Sequence, residues 1–210
     1  MEWEGKTLIF DTGGQGQRLL SHMEILGKDP EEIDVVFLSH IHGDHTGGLR
    51  ELALHNPYLE VYIPKSFPMG FDEAAVGRGC RVMRISSPRE IFPGVFSTGE
   101  MGIWTKEHSL IFDAEKGTIV LTGCAHPGIM GVIKRAKSLI ATRICLAVGG
   151  YHLFSAHEWE IMKIIEAFKD IGVERVCPCH CTGDSAIGLF RESYGEKYIE
   201  GGAGRVIRLI

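Results

Sequence analysis

The residues of this chain best suited to chemistry lie close together, in the sequence HIHGDH at residues 40–45. Three imidazoles and one carboxylate are ligand types of catalytic zinc, and also of iron or manganese when carboxylates and water fill the remaining positions. The segment directly follows the apolar residues 35–38, which predict a buried strand. On the loop after such a strand the first two histidines point the same way, and the glycine turns the aspartate and the third histidine back toward them. We interpret the segment as a site for two adjacent metal ions and not as a solvated histidine-rich loop.

Further segments along the chain contain residues that bind metals or transfer protons. The sequence FDTG precedes the histidine-rich segment, and TGCAHPG, GGYHL and PCHCTG follow it, at residues 10–13, 122–128, 149–153 and 178–183. All four combine glycine, which lets the backbone turn, with a histidine, a cysteine or an aspartate.

The order and spacing of these motifs resemble those of the metallo-β-lactamase superfamily, and the sequence TGGL at residues 46–49 continues the resemblance. The later motifs are similar to one branch, which includes a synthase of archaeal pterin biosynthesis and many metal-dependent hydrolases. The resemblance extends from Thr7 to the C-terminus. It implies an α/β fold, a four-layer αββα sandwich of two sheets packed face to face with helices outside, in one domain over residues 1–210. Because members usually carry strands before the segment equivalent to Thr7, we expect the first sheet to lack an edge strand. Either the fold tolerates this loss, or the partner in a homodimer covers the exposed edge.

The resemblance also implies a set of metal ligands. The first ion would be bound by His40, His42 and His126, and the second by Asp44, His45 and His180. His108 is an alternative to His126, since the third ligand motif of the superfamily is a histidine upstream of the segment that contains Cys124. Cys124 stands where the superfamily usually has a bridging aspartate, and its thiolate could bind zinc. Asp11 is expected to orient a ligand imidazole through the other ring nitrogen.

The six cysteines favour metal binding or reactive thiols over a disulfide framework, because three of them lie within residues 177–181. Cys179 and Cys181 flank His180, but strand alternation points both away from it, which makes them weaker ligand candidates. Cys80 and Cys145 are expected to be small residues of the core.

The predicted function is that of a metal-dependent hydrolase. Two ions held together lower the pKa of a shared water to near neutrality and hold the resulting hydroxide at an ester carbon or a phosphorus. Asp44 would orient this hydroxide. His152, which follows two flexible glycines at a strand end, would donate a proton to the leaving group or bind a phosphate. The alternatives are a transferase acting on a pterin pyrophosphate, as in methanopterin-type biosynthesis, and a metal-binding scaffold without turnover.

Length and composition favour one globular domain in the cytoplasm. The chain has 210 residues, of which 44% are hydrophobic, and this suffices for a sizeable core. A formal net charge of −5 gives no general attraction to nucleic acid. No stretch approaches the ~20 apolar residues that span a bilayer, and the N-terminus lacks the basic and apolar regions of a secretion signal. We therefore expect a small-molecule substrate as partner, and neither nucleic acid nor a membrane.

Hydrophobic periodicity predicts the secondary structure. Helices are predicted at residues 19–26, 49–54, 129–140 and 158–168, and strands at residues 7–10, 35–38, 59–63, 144–148, 173–176 and 205–209. Five short runs, at residues 81–85, 91–96, 103–104, 110–112 and 118–121, predict an antiparallel meander. Residues 67–79 are expected to be irregular.

Overall fold

A computed structural model describes residues 1–76 and 79–208 of the chain. The backbone forms two compact units, of which the first contains Met1–Ser86 and Thr105–Glu107 and the second contains Ser87–Trp104 and the chain from His108 onward. The single domain expected from the sequence stays a prediction. Within the described residues, no helix is both long and apolar enough to cross a membrane.

The first unit contains a five-stranded sheet in the order β1-β2-β3-β4-β5. Its strands are β1 (Glu2–Trp3), β2 (Lys6–Phe10), β3 (Val35–Phe37), β4 (Glu60–Pro64) and β5 (Arg81–Ile85). Strand β1 is antiparallel to β2, whereas β2 to β5 run parallel to one another. The helices are α1 (Gly16–Ile25), α2 (Gly43–Thr46), α3 (Leu49–His55) and α4 (Phe71–Val76), and Pro30–Glu32 form a 3-10 turn.

Strand β3 shows why the first unit folds as a parallel sheet. All three of its residues are apolar and buried, as expected of a strand inside such a sheet. Val36 and Leu38 belong to one hydrophobic core with Leu49 and Leu52 of α3. Because β2 and β3 are parallel, the loops after their carboxyl ends lie side by side, and these loops carry the polar residues predicted to act.

The second unit contains a six-stranded sheet in the order β11-β10-β9-β8-β7-β6. Its strands are β6 (Arg89–Phe92), β7 (Val95–Ser97), β8 (Leu110–Ala114), β9 (Gly117–Thr122), β10 (Ile144–Gly150) and β11 (Val176–Cys179). Strands β6 to β9 are antiparallel, and β9, β10 and β11 are parallel. The helices are α5 (Ile129–Leu139), α6 (Glu158–Ile171) and α7 (Asp184–Tyr194), with 3-10 turns at His180–Thr182 and Gly195–Lys197.

An aromatic group in the core of the second unit anchors the chain just after β10. The ring of Tyr151 lies 5.7 Å from that of Phe168 on α6 and 5.3 Å from that of Phe190 on α7, measured between ring centroids. The Tyr151 hydroxyl donates a hydrogen bond to the carbonyl of Ala147 at 2.8 Å. Burying these rings stabilises the unit and fixes the position from which the loop after β10 leaves the sheet.

The predicted α/β class, with two sheets and helices, is confirmed, and most elements lie where the periodicity predicts them. Antiparallel pairing of the predicted meander is confirmed for β6 to β9 only, and the predicted run at residues 91–96 contains the end of β6, a turn and the start of β7. Strand β5 is a correction, because it pairs in parallel with β4 and so belongs to the first sheet. Residues 103–104 form no strand, and Ile103 and Trp104 are instead 84% and 96% exposed.

Other predicted elements also need correction. The segment expected to be irregular contains α4, which is held by Arg84 through hydrogen bonds to the Asp72 carboxylate and the Phe67 carbonyl. Residues 77 and 78 of that segment lie outside the described residues. Residues 205–208 form no strand, and position 209 of that prediction lies outside the described residues.

Two further points concern a helix that was not predicted and the edge of the first sheet. Helix α7 was not predicted, although Ala186, Phe190 and Tyr194 repeat at the spacing of a helix and are buried. At the edge of the first sheet the two-residue strand β1 pairs with β2, and the expectation that an edge strand usual in other members is lacking stays a prediction.

Candidate metal centre

A histidine pair lies on the loop after β3 in the first unit. His40 is fully buried, and the hydroxyl of Ser39 lies 2.9 Å from its Nδ1. Its Nε2 lies 3.0 Å from Nδ1 of His42. Two nitrogens at this separation can each approach one zinc ion to about 2.1 Å, so the pair fits a shared ion.

Helix α2 begins directly after His42 and carries the other two donors of the motif. Asp44 lies in its first turn and His45 in its last. Oδ2 of Asp44 is 3.3 Å from Nε2 of His45, and the centroids of the His40 and His45 rings are 4.0 Å apart. The donor side chains of residues 40–45 are therefore grouped together, as the sequence predicts.

Asp11, which follows β2, holds this loop in place. Its carboxylate accepts hydrogen bonds from the backbone N–H and the hydroxyl of Ser39, each at 2.7 Å. Its Oδ2 also lies 2.6 Å from Nδ1 of His45. A carboxylate at Nδ1 fixes the tautomer and leaves Nε2 as the nitrogen that can bind an ion. The predicted contact between Asp11 and a candidate ligand is confirmed, whereas Ser39 was missed because only its position next to the motif could have suggested a role.

The Asp11 and His45 pair is electrostatically coupled. Burial raises the pKa of Asp11, and the hydrogen bonds from His45 and Ser39 oppose that rise only in part. Burial opposes the charged form of His45 as well, but the hydrogen bond and the charge of Asp11 prevail and raise the pKa of His45. His45 therefore keeps its second proton more readily than an ordinary histidine. An incoming metal ion has to displace that proton, so metal binding should be linked to pH.

Two glycines let the histidine-rich loop pack against the segment after β2. A Cβ at Gly47 would lie 2.4 Å from the carbonyl oxygen of Gly14, and one at Gly48 would lie 2.3 Å from that of Thr12. Thr12 donates its N–H and its hydroxyl to the carbonyl of His45, at 2.7 and 3.0 Å. The absence of a side chain at these two glycines therefore permits close contact between the two backbone segments.

A cleft of about 430 Å³ opens beside Asp44 in the first unit. It is lined by Asp11, Thr12, Gly13, Gly14, Gln15, Arg18, Leu19, His22 and Asp44. Arg18 and His22 lie four residues apart on α1, one turn of the helix, and both are exposed. The cleft has the size of a small-molecule site.

The second unit brings its candidate residues to the carboxyl ends of three parallel strands. Cys124 and His126 follow β9, His152 follows β10, and His180 and Cys181 follow β11. The ring centroids of His126 and His152 are 4.6 Å apart. Parallel pairing places these three loops at one edge of the sheet, so residues far apart in the sequence converge there.

Three of these residues form a compact group of donor atoms. One ligand atom each from Cys124, His152 and Cys181 lies within 4.8 Å of the other two. Sγ of Cys181 also donates to the carbonyl oxygen of Cys124 at 3.5 Å. The side-chain hydrogen bond with Cys124, with further contributions from His152 and His180, overcomes burial and lowers the pKa of Cys181 to about 5. Strand alternation makes Cys181 a weak ligand candidate, yet the structure places it in this group, and whether it binds a metal stays a prediction.

The backbone is strained next to these candidate ligands. Five non-glycine residues in the described part of the chain have positive φ angles, and four of them are Asp11, Ala125, His152 and His180, with φ between 52° and 58°. Such conformations are uncommon for residues with a Cβ and persist where the surrounding structure holds them. His180 lies on a 3-10 turn whose last residue, Thr182, accepts a hydrogen bond from the Tyr151 N–H at 3.0 Å and donates one to the Cys179 carbonyl at 2.7 Å.

His108, the alternative to His126, is placed elsewhere in the second unit. It is fully buried, and its Nδ1 lies 3.0 Å from the hydroxyl of Ser97. Among the residues that the structure describes, neither His108 nor Cys179 joins a group of three or more potential metal ligands. These surroundings favour His126 over His108.

Fold and site together define a class of protein, an α/β protein of two sheets with candidate metal-binding side chains at the carboxyl ends of parallel strands. The family model of the metallo-β-lactamase superfamily matches residues 2–138. The chain therefore belongs to this superfamily, as its sequence motifs predict. Members of the superfamily are metal-dependent enzymes.

Several relatives are similar over nearly the whole chain. The 7,8-dihydropterin-6-methyl-4-(β-D-ribofuranosyl)-aminobenzene-5'-phosphate synthase of Methanocaldococcus jannaschii is 28% identical over 248 aligned positions, which cover 97% of this chain and 84% of the synthase. The crystal structure of Tm1679, a metal-dependent hydrolase of the β-lactamase superfamily, is 28% identical and superposes with a TM-score of 0.82, covering 97% of this chain and 89% of Tm1679. YhfI of Bacillus subtilis, at 13% identity and a TM-score of 0.68, shares the fold over 94% of this chain and 85% of its own.

Proposed function

We propose that the chain is a metal-dependent hydrolase of a small ester or phosphoester. The observation that carries the proposal is the donor group at residues 40–45, in which Asp44 has a largely exposed carboxylate 3.3 Å from His45. A donor that is exposed to solvent can reach a water or a substrate, which a purely structural metal site does not require. The similarity to Tm1679, a metal-dependent hydrolase, supports the reaction class.

We assign two divalent ions to the chain, zinc as the first choice and iron or manganese as alternatives. Their proposed ligands are His40, His42, Asp44, His45, His126 and His180. Imidazole and carboxylate donors suit all three metals. The 3.0 Å separation between His40 and His42 supports a shared ion, and the contact of Asp11 with Nδ1 of His45 supports ligation through the other nitrogen.

Bound divalent ions would lower the pKa of a water and stabilise the negative charge that develops during hydrolysis. Asp44 would accept a hydrogen bond from that water and orient it toward the substrate. Asp11 would keep His45 in the tautomer that leaves Nε2 available. For His152, proton donation and phosphate binding stay predictions.

A transferase acting on a pterin pyrophosphate is the second candidate, and the 28% identity to the Methanocaldococcus jannaschii synthase favours it. The alignment with that synthase has 248 positions against the 210 residues of this chain, so at least 38 positions have no counterpart here. A large aromatic donor needs a pocket, and this chain has fewer residues with which to build one. We therefore place hydrolysis first.

Metal analysis of the purified protein tests the proposed site. We expect up to two transition ions per chain after gel filtration, and we expect His42→Ala to remove at least one of them. His55→Ala is the matched control, because His55 is exposed at the end of α3 and outside the motif, and it should leave the metal content unchanged. An unchanged metal content in His42→Ala would show that the histidine-rich loop is not the site.

Turnover separates the candidate functions. The metal-loaded protein is assayed on phosphodiester, phosphomonoester, thioester and lactone substrates and on a pterin pyrophosphate. Hydrolysis that is lost in His42→Ala supports the first candidate, and transfer from the pterin pyrophosphate without hydrolysis supports the second. Two bound ions with no turnover on any of these substrates would favour a metal-binding scaffold.

A further inference from the structure

The group formed by Cys124, His152 and Cys181 lies outside the set of six proposed ligands. One donor atom from each lies within 4.8 Å of the others, and the three residues come from three different loops of the second unit. A tetrahedral zinc ion, with bonds of about 2.3 Å to sulfur and about 2.1 Å to nitrogen, separates its ligand atoms by about 3.4 to 3.8 Å. The side chains therefore need to move little to bind one ion together.

The end of β10 is shaped so that the two cysteine loops can approach it. A Cβ at Gly150 would lie 2.7 Å from Sγ of Cys181 and 2.4 Å from the carbonyl oxygen of Gly123. A residue other than glycine there would collide with both loops, so the absence of a side chain at Gly150 lets the loops that carry Cys124 and Cys181 approach β10 closely.

The three loops also share an unusual backbone conformation. Ala125, His152 and His180 have φ angles of 58°, 54° and 52°, and each is a member of the group or the direct neighbour of one. A positive φ in a non-glycine residue costs free energy, and such residues concentrate at functional sites. This strain is independent of the steric requirement at β10 and occurs at the same place.

Burial within the group increases from one side to the other. Cys124 is 4% exposed, Cys181 is half-buried, and His152 is exposed. An ion bound by these three residues would have two sulfurs on its buried side and an open position beside the imidazole. Two thiolates and one imidazole, with a water or a substrate in the fourth position, form a known type of catalytic zinc site.

We propose that Cys124, His152 and Cys181 form a metal site of their own in the second unit, which takes a thiophilic divalent ion, zinc above all. Thiolate donors select zinc and other soft ions over manganese or magnesium. The thiol protons pass to the solvent when the ion binds. The site goes beyond the proposed function because it uses none of the six proposed ligands, and it gives His152 the role of a ligand.

Cobalt substitution of the whole protein tests the sulfur ligands. Cobalt bound by thiolates absorbs in the near ultraviolet through sulfur-to-metal charge transfer, whereas cobalt bound only by nitrogen and oxygen does not. We expect this absorption in the wild-type protein and its loss in the double variant Cys124→Ser, Cys181→Ser. Cys145→Ser is the matched control, because Cys145 lies near the start of β10, about 13 Å along the strand from Gly149, and it should keep the absorption. Bound cobalt without charge transfer in the wild-type protein would overturn the proposal.

The variant His42→Ala shows whether the site is separate. We expect the charge-transfer absorption to persist in His42→Ala, since the sulfur site does not use the histidine-rich loop. Loss of the absorption there would assign the sulfurs to the site of the proposed function and overturn a separate one. An unchanged metal content in His42→Ala, together with persistent absorption, would instead contradict the proposed function and leave the sulfur site standing.

Two further measurements do not depend on the folding of the cysteine variants. In His42→Ala, zinc well above its dissociation constant should slow alkylation of Cys181 at least about tenfold, and equal rates with and without zinc would overturn the proposal. His152→Ala should weaken cobalt binding at least about tenfold, because even a residue that only supports a ligand has an effect of that size. Unchanged affinity in His152→Ala would remove the imidazole from the site.

Discussion

The two units of this protein hold their donor side chains in different ways. In the first unit all donors lie within residues 40–45, on one loop and one short helix, and Asp11 and Ser39 hold them from the neighbouring strand end. In the second unit the donors come from three loops that only the parallel pairing of β9, β10 and β11 brings together. We infer that metal binding by the first group depends mainly on the donor residues themselves. The geometry of the second group depends on the strands beneath it. Substitutions of framework residues and of proposed ligands test this difference between the two units.

The largest effect is expected from the framework of the second unit, in Gly149→Ala. Gly149 has a φ of 123°, and a Cβ there would lie 2.0 Å from the carbonyl oxygen of Thr122 on β9. Backbone strain and overpacking together should lower the free energy of unfolding by about 4 kcal/mol. Denaturant unfolding measures the change. Gly188→Ala on α7, where a Cβ has no atom within 4 Å, is the control and should change stability by less than about 1 kcal/mol. An equally small change in the free energy of unfolding of Gly149→Ala would show that close packing of β10 against β9 does not support the second unit.

Replacing a proposed ligand of the second unit should affect turnover more than stability, and His180→Ala tests this difference. Loss of one ion should lower kcat about a hundredfold or more, which is about 2.7 kcal/mol of barrier. The free energy of unfolding should change little, because His180 is exposed on a turn. Metal analysis, steady-state kinetics and unfolding are measured on the same preparation. His180→Asn, which tolerates the positive φ, should show the same kinetic loss, and a variant that keeps both ions and full turnover would exclude His180 as a ligand.

In the first unit, replacing a residue that supports a proposed ligand should lower metal affinity less than replacing the ligand itself. Asp11→Asn tests this support. The change removes the charge at Nδ1 of His45 but keeps the size of the side chain. Metal affinity should fall about 10- to 100-fold, as is usual when the partner of a ligand imidazole is lost. Competition with a chelator measures the affinity. Asp113→Asn, an exposed aspartate, is the control for net charge and should have no effect. Equal affinities for wild type and Asp11→Asn would mean that His45 is positioned without Asp11.

The smallest effect is expected from the titration of the same pair in the metal-free protein. The pKa values of both Asp11 and His45 are raised on folding. The folded state therefore holds more protons than the unfolded state above the ordinary pKa of an aspartate, and stability falls as the pH rises. The contribution of His45 is fully present below about pH 6.5 and is lost as the pH passes its raised pKa. Urea unfolding between about pH 5 and about pH 8 with a chelator should show a steeper decline for the wild type than for the double variant Asp11→Asn, His45→Gln. Identical slopes would show that the pair is not coupled to folding.

Sequence patterns predict the local elements better than their pairing. The runs of apolar residues place β2, β3, β4 and β10 well, because each strand is buried and therefore continuous in hydrophobicity. They do not show that β5 leaves the meander for the first sheet, since the choice of partner depends on packing across the whole sheet. Helix α4 was missed for a similar reason, because Arg84 stabilises it from a distant strand.

The donors of the first unit, their order and the contact of Asp11 with one of them follow from the sequence, because a strand, a tight turn and a short helix lie within consecutive residues. The grouping of Cys124, His152 and Cys181, in contrast, depends on how distant parts of the chain pack together. Strand alternation predicts that Cys181 points away, but β11 ends at Cys179 and a 3-10 turn begins at His180, so alternation no longer applies. The group exists because parallel strands bring their carboxyl ends to one edge and strained backbone turns the loops toward each other.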